Sequence, residues 1–166
     1  MSTKIKITVS NFGSMTAELY PDKAPATVEN FIKLAKEGFF NGLIFHRVIK
    51  GFMIQGGGFT SEFEEKRAQS IKGEFISNGF MSNNLKHTRG VLSMARTSAP
   101  NSASSQFFIM HMDAPHLDGA YAGFGKVIEG IEIVDMIASV KTGSWGWYED
   151  VPKTPVVIEN IEVIEE

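Results

Sequence analysis

The sequence predicts a mainly β fold, a closed antiparallel β-barrel capped by two α-helices, formed by one domain over residues 1–166. Three observations predict it. Most apolar segments are short and separated by Gly, Asn, Ser and Pro clusters, the pattern of many brief strands. Only two stretches carry helical periodicity. A chain of 166 residues with 43% hydrophobic and 21% charged content fits one ordinary domain with a real core.

Ile5, Ile7 and Val9 alternate with Lys4, Lys6 and Thr8, the period-2 signature of a half-buried strand. Asn11-Phe12-Gly13-Ser14 reads as a turn, and Met15, Ala17 and Leu19 alternate again, completing a hairpin. Pro25 suits the first turn of a helix, where its missing N–H costs nothing. Val28, Phe31, Ile32 and Ala35 follow at helical spacing and Gly38 is a stop, so Pro25–Glu37 reads as an amphipathic helix. Leu43–Ile49, Phe52–Gln55, Val91–Ala95 and Phe107–Met110 are too short for helices and rich in β-branched and aromatic residues. The second helix falls on Ile131–Val140. Val156–Ile164 reads as a last strand that returns beside the first hairpin.

Composition excludes several function classes. A formal charge of −3 gives no electrostatic reason to expect a nucleic-acid or membrane partner. With no cysteine there is no disulfide, thiolate nucleophile or Cys-ligated zinc. The N-terminus alternates at once and lacks the apolar run of about 7–15 residues that a secretory signal needs. The expectation is a cytoplasmic, monomeric, soluble protein. Gly125-Lys126 ends no phosphate-binding loop, because Ala120 stands at the first glycine position and Val127 at the Ser/Thr position. No Gly-x-Ser-x-Gly elbow is present. His46, His87, His111 and His116 contain no His-x-x-x-His pair, and no metal site is expected.

Three segments remain: Phe45-His46-Arg47-Val48-Ile49-Lys50-Gly51-Phe52-Met53-Ile54-Gln55-Gly56-Gly57, Gly90-Val91-Leu92-Ser93-Met94-Ala95 and Ser105-Gln106-Phe107-Phe108-Ile109. Together with Leu117-Asp118-Gly119 and Phe124-Gly125-Lys126-Val127 they closely resemble the cyclophilins, in register from the first hairpin to the last strand. The resemblance implies an eight-stranded closed barrel with a helix at each end. It also implies a peptidyl-prolyl cis–trans isomerase that needs no metal or cofactor and acts on proline-containing peptides and unfolded or flexible proteins, assisting folding. A non-catalytic proline-peptide-binding module, or a holdase chaperone using the same groove, is the alternative.

Rotation about an X–Pro bond faces a barrier of about 18–20 kcal/mol, because resonance makes that bond partly double. A turnover near ~1000 per second requires about 7 kcal/mol less. No proton or electron need move, so the task is to bind the twisted amide better than either planar form. The twisted prolyl nitrogen regains a lone pair, and a guanidinium aimed at it opposes resonance. Arg47 is the candidate. By the resemblance Arg47, Phe52 and Gln55 are catalytic. Phe52, Met53, Phe108 and Leu117 hold the proline ring, Gln55 holds a substrate carbonyl, and Gln106 positions neighbouring groups. Ala95 and Arg96 lie along the groove for the residue before proline, and His116 and Tyr121 complete the substrate side.

Structural readings compete at several places. A Phe-Met pair in a strand is often core. Arg47 shares strand parity with Phe45 and Ile49, so it could be a buried arginine satisfied by Gln55 and Gln106. His46, on the opposite side, reads as structural and hydrogen-bonded. Four departures from the family pattern matter. Gly58 replaces a frequent Asp and is expected to loosen its loop. Arg96 replaces a frequent Asn, and its charge is expected to favour acidic neighbours in the peptide. His116 stands where cyclosporin-sensitive members carry Trp, so weak cyclosporin binding is expected, while Tyr121 replaces a frequent His. Trp145-Gly146-Trp147-Tyr148 lies in a loop that either pins itself to the barrel or exposes an aromatic patch for a partner or another copy of the chain.

Overall fold

A computed structural model of the chain describes residues 3–164. Met1, Ser2, Glu165 and Glu166, which belong to the domain expected over 1–166, lie outside the described residues. The alternating N-terminal residues form β1 (Thr3–Val9) and β2 (Gly13–Leu19), which pair antiparallel with Ile5 opposite Ala17 and Ile7 opposite Met15. Their inward side chains are buried, as the period-2 pattern requires.

Helix α1 (Pro25–Lys36) follows, with Pro25 in its first turn and Val28, Phe31, Leu34 and Ala35 buried. Its N-cap residue, Ala24, has no side chain able to satisfy the first backbone N–H groups. That role falls to Glu74, from a distant loop. Glu74 Oε1 accepts from the Thr27 backbone N–H and from the Thr27 hydroxyl, both at 2.7 Å, and Oε2 accepts from the Ala26 N–H at 3.2 Å. A carboxylate at a helix N-terminus also complements the helix dipole. Asn83 holds the loop in turn, donating to the Glu74 carbonyl at 2.8 Å and the Gly123 carbonyl at 2.9 Å.

The remaining elements are β3 (Arg47–Ile49), β4 (Met53–Gly56), β5 (Val91–Met94), β6 (Phe107–Met110), β7 (Gly123–Glu129), α2 (Ile131–Ala138), β8 (Thr142–Trp145), β9 (Tyr148–Pro152) and β10 (Ile158–Ile164). Eight strands make one antiparallel sheet in the order β10-β1-β2-β7-β5-β6-β4-β3, and β8 and β9 form a separate hairpin. The aromatic centre of the core is Phe31 of α1, whose ring lies 4.9–5.3 Å from those of Phe40, Phe107 and Phe124. Neither helix is long and apolar enough to cross a membrane.

The closed barrel expected from the sequence is corrected: the sheet is an open, curled half-barrel. No ladder joins β3 to β10. The seam holds an isolated bridge between Ile44 and Val157, with Phe45 N–H donating to the Val156 carbonyl at 3.0 Å and Ile158 N–H to the Leu43 carbonyl at 2.7 Å. The physical reason lies in the strand expected over Leu43–Ile49. Only Arg47–Ile49 is regular, because the backbone leaves strand geometry at Phe45 and His46. Three residues are too few to lay a ladder along seven-residue β10. Gly56 permits this crossing, since a Cβ there would fall 2.6 Å from the Ile44 carbonyl oxygen. The aromatic stretch expected as a loop is instead the turn of the β8–β9 hairpin.

Replacing Glu74 by Ala strips the first turn of α1 of its acceptors. We expect a loss of about 1–3 kcal/mol of folding stability, read from urea unfolding. An unchanged midpoint would show that water satisfies these N–H groups equally well.

Candidate active site

Strand register assembles the site. Arg47 of β3 lies opposite Gln55 of β4, Gln55 opposite Phe108 of β6, and Phe108 opposite Ser93 of β5. Side chains on alternate residues share a face, so Met53 joins Gln55, and Met110 joins Phe108, on the outer side of the sheet. There Met53, Val91, Phe108, Met110, Ala114 and Leu117 form an apolar cluster of their own, separate from the main core, with Phe52 and Tyr121 packed against it.

Phe52, Met53, Phe108, Leu117 and Tyr121 of this group line a cavity of about 130 Å³ together with Arg47, Gln55, Ala95 and Arg96. Gln106 lines a neighbouring cavity that shares Gln55, Ala95 and Arg96. His116 is outside the pocket wall, exposed on a 3-10 turn (Pro115–Leu117), with its ring 5.7 Å from that of Phe52. Ten of the eleven residues picked from the sequence are thus brought together around two adjoining cavities, and His116 stands at the rim.

Arg47 is exposed, which corrects the expectation of a charge on a buried face. The irregular backbone at Phe45–His46 breaks the assumed parity: Phe45 points into the main core while Arg47 faces the groove. Its guanidinium donates from Nη1 to Gln55 Oε1 at 3.4 Å, and Gln55 Nε2 donates to Gln106 Oε1 at 3.0 Å. One long hydrogen bond leaves most of the guanidinium's five donors unspent. A satisfied structural arginine would look different.

Arg96 is the satisfied one. It donates to the Ala120 carbonyl from Nη2 at 2.7 Å and Nε at 3.2 Å, and from Nη1 to the Thr97 carbonyl at 2.9 Å. Its guanidinium lies 4.7 Å from the ring centres of both Phe75 and Tyr121. The charge expected to attract acidic peptide neighbours is committed to the groove wall, and Tyr121 serves as one of its stacking faces.

Several supports were not visible in the sequence. His111, noted only as a histidine with no metal spacing, accepts at Nδ1 from the Gly51 N–H at 2.9 Å, and its backbone N–H donates to the Phe52 carbonyl at 2.9 Å. It thereby fixes the turn that carries Phe52. Its Nε2 lies 3.1 Å from Asp135, which also takes a bidentate pair of bonds from Arg89 at 2.7 and 2.8 Å. Those Arg89 bonds hold the Asp135 carboxyl below the usual range. Beneath Phe108, buried His87 stacks at 6.0 Å and bridges Asp118 at 3.1 Å to the Ser93 hydroxyl at 2.8 Å. Burial lowers the His87 pKa, against the opposing pull of Asp118. Gly58, expected to loosen its loop, leaves room for Gln106, whose side chain would lie 2.5 Å from a Cβ at that position.

His46 is structural, as expected, but not hydrogen-bonded as expected: its Nδ1 has no partner among the described residues, and its ring packs 4.6 Å from that of Phe59. Burial first and the Arg47 charge second lower its pKa to about 4.

A curled antiparallel sheet with one apolar pocket and one under-used cation on its open face is a groove-bearing β protein of the half-barrel class. The family model for cyclophilin type peptidyl-prolyl cis-trans isomerase/CLD matches residues 4–163. The chain belongs to that family, and the non-catalytic alternative is not favoured. It is 49% identical over 160 residues to a peptidyl-prolyl cis-trans isomerase of Acinetobacter baylyi, covering 93% of this chain and 82% of that one. It is 45% identical to peptidyl-prolyl cis-trans isomerase B of Escherichia coli, covering 94% and 97%. A crystal structure of a Cryptosporidium parvum cyclophilin type isomerase, obtained in the presence of the dipeptide Ala-Pro, superposes with a TM-score of 0.80 at 30% identity, covering 98% and 99%.

The His46 shift has a pH consequence. As the folded-state pKa lies below the unfolded value of 6.5, the unfolded chain takes up the proton first as pH falls. The contribution is therefore complete above about pH 6.5 and is lost toward pH 4, with about 2 kcal/mol gone at pH 5. His87, shifted in the same direction, adds to the slope. Urea midpoints at pH 7 and pH 5 should show a smaller drop for His46→Phe than for the wild type. Equal drops would remove His46 from the account.

Proposed function

We propose that residues 1–166 form one isomerase domain in which Arg47, Phe52 and Gln55 are the catalytic groups for rotation about X–Pro bonds. The observation that carries this reading is the exposed, nearly unpartnered guanidinium of Arg47 at the rim of an apolar pocket. The proline ring occupies the pocket of Phe52, Met53, Phe108 and Leu117. Arg47 donates to the prolyl nitrogen as the amide twists, when that nitrogen is pyramidal and basic, and has little to bind in the planar forms. The interaction is thus selective for the transition state. A well-placed charge-assisted donor supplies roughly 2–4 kcal/mol. Moving the amide from water to an apolar wall disfavours its charge-separated resonance form and contributes further.

Gln55 holds the substrate carbonyl and keeps Arg47 aimed, while Gln106 steadies Gln55 through the 3.0 Å bond between them. Ala95 and Arg96 border the residue before proline, and Tyr121 and His116 close the remaining sides. Substrates are proline-containing peptides and flexible or unfolded proteins, a reading supported by the Cryptosporidium relative studied in the presence of Ala-Pro. The protein acts as a cytoplasmic monomer in protein folding.

Arg47→Ala should keep the fold, since the side chain is exposed, and should lower kcat/KM for a short proline peptide by about 30- to 1000-fold. The check is cis-to-trans relaxation at low temperature, with circular dichroism as the folding control. Wild-type rates in the variant would reassign catalysis to the pocket alone. Cyclosporin should inhibit weakly, because the exposed His116 imidazole offers neither the face nor the N–H of an indole. Tight inhibition of the purified protein would sink this assignment.

A further inference from the structure

Past Arg47 the groove continues into a third cavity, of about 440 Å³, between the β3–β4 pair and the β8–β9 hairpin. Arg47 and Gln55 line both this cavity and the proline pocket, so a chain seated at one reaches the other. Its remaining wall includes His46, Glu65, Trp147, Tyr148, Glu149 and Asp150. The hairpin is pinned rather than loose. Trp145 stacks on Phe63 at 5.6 Å, and Tyr148 lies 5.1 Å from Phe63 and 5.6 Å from Phe59. Trp147, in contrast, is 94% exposed and, among the described residues, has no ring partner. Pinning and display, the two alternatives for this stretch, are thus divided between its residues.

The wall is rich in acceptors. Glu65 is engaged by Arg67 at 2.9 Å, but among the described residues Glu149 and Asp150 have no ion pair and no side-chain hydrogen bond. His46 is only 5% exposed and its Nδ1 is unsatisfied. That nitrogen is sealed from the cavity, so His46 serves only as wall, and being uncharged at neutral pH it does not repel a cation. Among the described residues Arg47 is the only cation lining this cavity, and it lines the proline pocket as well. Unpaired carboxylates and an open aromatic face suit a ligand that only donates and carries positive charge. An acidic side chain would be repelled, and an apolar one would strip water from unpaired carboxylates.

We propose that this cavity is a subsite for a lysine or arginine side chain of the same polypeptide whose X–Pro bond lies at Arg47, so that the enzyme favours prolines flanked by a basic residue. The inference rests on the groove reading given above. It names a substrate preference carried by the β8–β9 hairpin, with Glu149, Asp150 and Trp147 as its determinants.

The test is NMR exchange of proline peptides carrying Ala, Lys or Glu in turn at each of three positions on either side of the proline. Wild-type kcat/KM should favour Lys over Glu by about fivefold or more at one or more positions, the scale of exposed ion pairs with a cation–π contact. The ratio should shrink in concentrated salt. In a variant carrying Glu149→Gln and Asp150→Asn the preference should vanish. Asn is chosen because residue 150 has φ of +62°, which Asn tolerates. Acceleration of the alanine peptides with no Lys–Glu difference overturns the subsite and leaves the isomerase reading intact. So does a preference that survives in the variant, or a variant that slows every peptide equally, which would make the carboxylates supports of Arg47. Failure of the wild type on the alanine peptides removes the groove reading, and the subsite with it.

Discussion

Register among β3, β4, β6 and β5 is the constraint on which the rest depends. Val48, Ile54, Ile109 and Leu92 form one cross-strand row facing the main core, and all are buried. The adjacent row, Arg47, Gln55, Phe108 and Ser93, faces the other way. A slip of one residue in any strand would send its functional side chain inward and an apolar one outward. The burial of plain aliphatic residues therefore holds the proposed catalytic groups in line.

Around that row, the supports act on what register cannot specify. His111 anchors the turn that presents Phe52, Gly58 makes room for Gln106, and His87 lies under Phe108. Each restrains a pocket group through a neighbour outside the pocket. Arg47 itself is left with one long bond to Gln55. This suits the role proposed for it, in which its partner exists only at the top of the barrier: donors already satisfied in the resting protein would have to give up those bonds before aiding rotation.

Much of this was legible in the sequence where periodicity carries it. The first hairpin, α1 and the last strand follow from alternation and from apolar spacing, with boundaries off by a residue or two: α1 ends at Lys36 rather than Glu37, α2 at Ala138 rather than Val140. Strand β7 was recognised only as a motif, because Gly123 and Gly125 punctuate it like a turn. The β8–β9 hairpin escaped because its outer residues are exposed on both faces and show no alternation. The open seam was not legible, since it depends on where the backbone bends at Phe45 and His46. At the site, the motifs pointed to residues that gather around the cavities but not to their supports. His87 and Asp118 are far apart in sequence, and no local pattern links them. The same bend explains why Arg47 was assigned to a buried face.

The separation of the two apolar clusters has an evolutionary consequence. The pocket lies over a small satellite cluster on the outer face, while the bulk of stability resides in the aromatic core around Phe31. Substitutions that reshape the pocket rim, such as those represented by His116 and Tyr121, leave that core untouched. The residues that shape the pocket are therefore largely distinct from those that form the main core. A lineage carrying this scaffold can drift toward new peptide or drug specificities without first acquiring compensating mutations in its interior.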